Sequence, residues 1–167
     1  MPGNTDEMFF RGGDEPKPAV NPDQIRIYGH RLCPFVLRAY LALAFKEIPF
    51  QKCNMELDNK AQWHIDINGG LVPIMETPSG SLVNESAVIM NFALELASVG
   101  QGAPLLPNEG KSGDLEANIT AAKMRLNMQK FDGLFHGSFW STMFHRLTNE
   151  EKNQAMLEGF AKIETLV

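Results

Sequence analysis

Residues 24–44 read QIRIYGHRLCPFVLRAYLALA, and two hydrophobic periodicities follow each other within this stretch. Ile25 and Ile27 alternate with polar neighbours, which predicts a short β-strand. From Pro34 to Phe45 the apolar residues recur at helical spacing, which predicts an α-helix. The apolar positions of this helix are Val36, Leu37, Tyr40, Leu41 and Ala44. A strand that leads directly into a helix indicates the start of an α/β domain.

The following segments extend this pattern as far as residue 98. Residues 50–55 (FQKCNM) predict a second strand, so the first three elements form a βαβ unit with parallel strands and a right-handed crossover. Residues 60–67 predict a short helix or an irregular turn. Residues 71–77 and 81–84 predict two strands around a tight turn, and a further helix begins at residues 85–86. The predicted order over residues 23–98 is βαβαββα.

The two flanking regions have a different character. Residues 1–22 are rich in Gly, Pro and acidic residues, which predicts a flexible N-terminal extension. Residues 99–113 contain several glycines and prolines and predict a linker. Residues 114–167 are helical in pattern: 114–145 form one long helix or a broken pair, and Thr148 with Glu151 has the form of a capping box. The last helix has an apolar stripe that includes Met156 and Phe160 and runs to Val167. We expect a partial all-α domain, covered by a homodimer or another partner.

Composition restricts the classes of partner. The 167 residues include 15 basic and 20 acidic side chains, for a net charge of −5 without a basic block. Nucleic acid is therefore not an expected partner. Two cysteines make no disulfide framework, and we find neither a signal peptide nor an apolar run of membrane-spanning length. The four histidines lack metal-ligand spacing. We expect a cytoplasmic protein with no stable membrane span and no metal.

Cys33 is the first candidate reactive residue. Proline is favoured at the first position of a helix, so Pro34 makes Cys33 the N-cap, where the positive end of the helix dipole favours a thiolate. The alternative is a cysteine that merely begins a helix, but cysteine is a poor cap. The residue three positions later is Val36, so there is no Cys-x-x-Cys motif. A single reactive thiol needs an external thiol to complete a redox cycle. Cys53, in a predicted strand, is expected to be a small buried hydrophobic residue.

Two further features are ambiguous in local sequence. The bond between Val72 and Pro73 precedes a strand, and local sequence favours the trans isomer. Glu85 and Ser86 begin a helix, whose N-terminus can bind a carboxylate or phosphate, or can simply be capped by Ser86.

Taken together, these motifs resemble the glutathione transferase superfamily, and within it the omega class. The resemblance runs from about residue 24 to residue 107. It includes RIYGHRLCPFVLRAYLAL, the NK-x-x-W pattern that starts at Asn59, GLVPIMETPSGSLVNESAVI, and LLP at 105–107. The resemblance is specific because it combines CPF, VP and ES at these separations and in this order of elements. The resemblance implies a thioredoxin-like glutathione-binding domain over residues 23–98, followed by a helical domain that is shorter here than in the family.

The resemblance also implies roles for individual residues around the sulfur of glutathione. Cys33 would form a mixed disulfide with glutathione, and Phe35 would lie beside the sulfur. The backbone of Val72 would pair with the cysteinyl part of glutathione, and Pro73 would be cis.

The two ends of glutathione would be held elsewhere. Lys60 would reach the glycyl end, Glu85 would take the ammonium of the γ-glutamyl end, and Ser86 would take its carboxylate. Residues 68–70 (NGG) depart from the family's Asn-Pro-type turn, so we expect a more mobile loop there.

The function implied is an omega-like, glutathione-dependent thiol transferase and dehydroascorbate reductase, with weak glutathione conjugation. A small-molecule or protein disulfide, or another oxidised compound, would be the second substrate. The alternatives are a protein similar to the chloride intracellular channels, which also carry Cys-Pro-Phe, or a non-catalytic subunit that keeps the fold as a scaffold.

Overall fold

The computed structural model describes residues 7–98, 100–144 and 148–164. The chain divides into two compact units, with the boundary between Leu105 and Leu106. The elements described in the first unit are β1 (Glu7–Phe10), β2 (Ile25–Gly29), α1 (Pro34–Phe45), β3 (Phe50–Met55), α2 (Gln62–Asn68), β4 (Ile74–Glu76), β5 (Leu82–Asn84) and α3 (Ser86–Leu96). From β2 onward this order is βαβαββα, so the predicted α/β class is confirmed.

The strands of the first unit form one mixed sheet in the order β1-β3-β2-β4-β5. β3 pairs in parallel with both β1 and β2, whereas β4 is antiparallel to β2 and to β5. The parallel β2–α1–β3 unit is the predicted βαβ unit, and β4 and β5 are the predicted pair of strands around a tight turn.

Side chains of the strands alternate between two hydrophobic clusters. Ile25 and Ile27 belong to the cluster that contains residues of α1 and α3, while Tyr28 belongs to the cluster packed against Trp63 of α2. Successive side chains of a strand point to opposite faces, so β2 contributes to both clusters. All five residues of β2 are buried, which places this strand at the centre of the unit.

The prediction of a flexible extension over residues 1–22 is wrong for β1. Phe10 is 6% exposed and pairs in register with Met55 of β3. After β1 the chain stays bonded to the unit: the Trp63 indole donates to the carbonyl of Glu15 (3.1 Å), and Arg26 donates to the carbonyl of Ala19 (2.7 Å). Local composition suggested a loose segment because Met55 and Trp63, the partners of Phe10 and Glu15, lie more than 40 positions further along the chain.

The boundary between the two units falls inside the predicted linker, residues 99–113. The first part of that segment is bonded to the end of α1, because Ala103 N–H donates to the carbonyl of Phe45 (2.8 Å) and the Gln101 amide to that of Lys46 (3.0 Å). Gly102 permits this approach, since a Cβ there would lie 2.1 Å from the Phe45 carbonyl oxygen.

The second unit contains α4 (Leu115–Phe144) and α5 (Asn149–Glu164) in its described part. Asp114 caps α4 by accepting from the N–H of Ala117 (3.0 Å), and the helix is continuous rather than a broken pair. The predicted capping box is confirmed, since Thr148 and Glu151 each accept a hydrogen bond from the other's backbone N–H. Met156 and Phe160 of the apolar stripe are 41% and 55% exposed, and Val167 lies outside the described residues.

Candidate functional site at the amino end of α1

Cys33 occupies the N-cap of α1 with an extended backbone, as the sequence predicted. The residue is 5% exposed and belongs to the cluster that α1 and α3 share with the sheet. Gly29, at the end of β2, allows α1 to pack this closely, because a Cβ there would lie 2.5 Å from Cγ1 of Val36. The sulfur makes no capping hydrogen bond to the helix. The thiol therefore sits at the positive end of a helix, with no partner at that cap.

Cys53 has a different environment. It lies in β3, is completely buried, and packs with Tyr28 and Ile74 on the opposite side of the sheet. Burial raises the pKa of the Cys53 thiol to about 12. A thiol in this state is a poor nucleophile, because the thiolate is the reactive form. The expectation of a small buried hydrophobic residue is confirmed.

Arg38 connects two of the predicted site residues. One guanidinium nitrogen donates to Oγ of Ser86 (3.1 Å), and the guanidinium carbon lies 5.6 Å from the centre of the Phe35 ring. A guanidinium only donates, so the Ser86 oxygen acts as acceptor here and its own O–H is directed elsewhere. The amino end of α3 thus combines a helix terminus, a hydroxyl donor and a nearby positive charge, all of which favour a carboxylate.

Glu85, the N-cap of α3, has an unusual backbone. Its φ of 69° and ψ of 118° lie in a region that non-glycine residues rarely adopt. Its carbonyl still accepts the first helical bond, from Ile89 N–H (2.9 Å), and its side chain is exposed and makes no capping bond. Strained residues of this kind cost roughly 1–3 kcal/mol and concentrate at binding sites. This observation favours a binding role over simple capping at this helix start.

The bond between Val72 and Pro73 is cis, as the family resemblance implied and against the preference of local sequence. Pro73 is buried, and Val72 is half-buried against the same cluster that contains Cys33 and Phe35. Three of the predicted site residues therefore share one cluster.

Lys60 precedes α2 and lies against the loop that follows this helix. It is half-buried, and Gly70 lies directly against its aliphatic stem: a Cβ on Gly70 would be 2.5 Å from Cδ and 3.2 Å from Nζ. Gly70 has a φ of 72°, so it combines a glycine-favouring backbone with a lack of space for a side chain. The NGG turn therefore leaves room for the lysine.

Sequence reasoning missed two side-chain contacts within this region. The His64 ring and the Asn68 amide both reach the carbonyl of Leu71, at 2.9 Å and 3.2 Å. A single histidine on a short helix gives no sequence signal for such a contact, because its partner is known only once the loop is folded. Within the part of the chain that the structure describes, no three His, Cys, Asp or Glu residues are grouped as a metal site would require.

Known proteins are similar to this chain in sequence and in fold. Residues 32–96 match the family model of the glutathione S-transferase N-terminal domain. Glutathione S-transferase omega-1 of Sus scrofa is 36% identical over 110 residues, which are 65% of this chain and 44% of the pig protein. The crystal structure of glutathione transferase Omega 3C from Trametes versicolor gives a TM-score of 0.64 at 23% identity, over 87% of this chain and 58% of that one. Rice GST1, solved in complex with glutathione, gives 0.68 at 22% identity, over 86% and 62%.

Residues 32–96 of the first unit therefore match a glutathione S-transferase N-terminal domain, and the unit has the thioredoxin-like fold of glutathione transferases. Its curated relatives include omega-1 and omega-2 proteins, so the predicted resemblance to the omega class is confirmed. The chain spans less than half the length of these curated relatives. Among its described helices, none has the length and apolar character of a membrane span.

Proposed function

We propose that this protein is a glutathione-dependent thiol transferase and dehydroascorbate reductase that works through a mixed disulfide between Cys33 and glutathione, with weak glutathione conjugation as a side activity. The names of the omega-class relatives support a glutathione transferase. A related fold solved with glutathione supports glutathione as the co-substrate.

The observation that carries this proposal is the contrast between the two cysteines of the chain. Cys33 lies at the N-cap of α1, whereas Cys53 is fully buried and its burial raises the pKa of the thiol to about 12. A resolving cysteine is therefore not available within the domain, and the second thiol must come from the co-substrate. This is the chemistry of a monothiol enzyme.

The chemical steps balance with glutathione as the reductant. The Cys33 thiolate attacks the glutathionyl sulfur of a mixed disulfide, forms a Cys33–glutathione disulfide and releases the substrate as a thiolate. The thiolate of a second glutathione then attacks that glutathionyl sulfur, which forms oxidised glutathione and restores the Cys33 thiolate. With dehydroascorbate, two glutathione molecules supply the two electrons and two protons and leave as oxidised glutathione.

The residues around Cys33 would hold glutathione along its length. The Val72 backbone would pair with the cysteinyl part, and Lys60 would attract the glycyl carboxylate. Ser86, oriented by Arg38, would donate to the γ-glutamyl carboxylate, while the exposed Glu85 carboxylate would take its ammonium. Each assignment pairs opposite charges or a donor with an acceptor.

The test compares two alanine variants in a glutathione-coupled disulfide reduction assay. We expect Cys33→Ala to lose at least 100-fold in turnover, because removing a covalent nucleophile removes the pathway. Cys53→Ala is the matched control and should stay within about twofold of the wild type. After incubation with oxidised glutathione, intact mass should show one glutathione adduct, located on Cys33.

Unchanged turnover in Cys33→Ala would refute the mechanism. A wild-type protein that forms neither product nor adduct would instead favour the non-catalytic scaffold. From the composition we also propose a reducing compartment, such as the cytoplasm. From the apolar stripe of α5 we propose a homodimer or another partner on the helical unit.

A further inference from the structure

His64 has no place in the mechanism above, yet it is a completely buried histidine on α2. Its Nε2 lies 2.9 Å from the carbonyl oxygen of Leu71. A carbonyl only accepts, so Nε2 must carry the hydrogen and donate it. In a neutral ring Nδ1 is then a bare acceptor, and among the described residues it has no hydrogen-bond partner. The contact to Leu71 thus determines which tautomer the ring adopts.

The Leu71 carbonyl accepts a second hydrogen bond, from the Asn68 amide at 3.2 Å. The loop is also closed on itself, because the Leu71 N–H donates to the carbonyl of Asn68 (2.9 Å). Two side chains of α2 therefore bind one carbonyl of the loop, although the Leu71 side chain itself is 62% exposed. These hydrogen bonds fix the direction of the Leu71 carbonyl rather than the position of the Leu71 side chain.

That direction matters for the next residue. The Leu71 carbonyl and the Val72 N–H belong to one planar peptide unit, and in a trans unit they point in opposite directions. When His64 and Asn68 hold the carbonyl towards α2, the Val72 N–H is turned away from α2. No hydrogen bond within the described ranges uses this N–H. The orientation of this backbone donor is therefore fixed by the two hydrogen bonds to the Leu71 carbonyl.

We propose that His64 is a positioning residue for glutathione: by holding the Leu71 carbonyl, it orients the Val72 N–H for the cysteinyl part of glutathione. The inference rests on the proposed function, since it needs Val72 to contact that ligand. Asn68, which is half-buried, has the same role, and its hydrogen bond keeps part of the orientation of the Leu71 carbonyl when the His64 contact is removed.

The test uses S-methylglutathione, a thioether that binds without forming a disulfide, and calorimetric titration. His64→Leu removes the donor at similar volume, and His64→Gln retains an amide donor near the place of Nε2. We expect His64→Leu to bind about 5- to 10-fold more weakly than the wild type, as for the loss of one buried hydrogen bond, and His64→Gln to recover most of that loss. In the disulfide reduction assay the KM for glutathione should rise in His64→Leu while kcat at saturation changes less than twofold.

Two further measurements separate positioning from a structural role. Asn68→Ala, at a half-buried residue, should weaken binding about two- to threefold even if His64→Leu folds poorly. Long-range proton–nitrogen NMR at neutral pH should show His64 as the Nε2–H tautomer. The inference is overturned if His64→Leu and Asn68→Ala both bind like the wild type, if His64→Gln is as weak as His64→Leu, or if the ring is the Nδ1–H tautomer. A wild type that does not bind S-methylglutathione at all would refute the proposed function instead.

Discussion

Replacing Gly70 with alanine should weaken glutathione binding, because the new methyl group would occupy space that the Lys60 side chain fills. A Cβ at this position would lie 2.5 Å from Cδ, 3.3 Å from Cε and 3.2 Å from Nζ of Lys60. These atoms belong to a flexible side chain, so the lysine moves rather than the loop. Its ammonium then leaves the position from which it would attract the glycyl carboxylate.

Gly69→Ala is a matched control for the backbone effect. Gly69 has a φ of 57° and Gly70 a φ of 72°, so both changes place alanine in a left-handed conformation, at a cost of about 1–2 kcal/mol. A Cβ on Gly69 meets nothing within 4 Å. The two variants should therefore lose similar free energy of unfolding, but only Gly70→Ala should disturb Lys60. A displaced ammonium–carboxylate contact at a half-exposed site is worth about 0.5–1 kcal/mol, or about 2- to 5-fold in Kd.

The assay is calorimetric titration with S-methylglutathione, with urea denaturation of each variant alongside. We expect Gly70→Ala to raise Kd by that factor and Gly69→Ala to leave Kd unchanged. In a Lys60→Ala background the Gly70→Ala change should have no further effect on Kd, since the methyl group no longer displaces a charge. Equal Kd values for the wild type and Gly70→Ala, or a full additional loss in the Lys60→Ala background, would show that Lys60 does not act through this contact.

Two further predictions concern the stability of the domain, one through packing and one through pH. Gly29→Ala would place a methyl group 2.5 Å from Cγ1 of the fully buried, β-branched Val36, so urea denaturation should show about 1–3 kcal/mol lower stability. Val36→Ala in the same chain should relieve part of that loss, whereas strictly additive losses would contradict a direct clash. Desolvation lowers the pKa of His64, and the positive charge of Lys60 lowers it as well, against the raising effect of the Leu71 carbonyl bond. Because the pKa of His64 is lower in the folded chain than in the unfolded one, the free energy of unfolding should fall as pH drops below about 6.5. His64→Gln should show a smaller fall between pH 7.5 and 5.5, and an identical fall in both proteins would show that His64 does not contribute.

Several features could be predicted because their cause lies within a few residues along the chain. Pro34 can begin a helix wherever that helix packs, so Cys33 was recognised as an N-cap before any contact was known. The capping box of Thr148 and Glu151 is equally local, since its partners are three residues apart. Alternation and helical spacing report which face of each element is apolar, and this was sufficient for the order βαβαββα.

Other features depend on partners that are distant in sequence. Glu7–Phe10 becomes a strand only because β3, more than 40 residues later, offers it an edge to pair with. Nothing in the local sequence requires the φ of 69° at Glu85. Two contacts appear only when α2 and its loop are folded together. They are the contact of Gly70 with Lys60 and the hydrogen bond of His64 to the Leu71 carbonyl.

The sequence was therefore sufficient to predict the candidate reactive cysteine Cys33, the order of the elements and the resemblance to glutathione transferases. The folded domain shows that Cys53 is unavailable, that Arg38 reaches Ser86, and that His64 faces the loop before Val72. Hydrophobic periodicity and helix capping depend on residues that are near neighbours in sequence, so the sequence predicts them. Burial, hydrogen-bond partners and the direction of a peptide unit depend on residues that come into contact only in the folded chain.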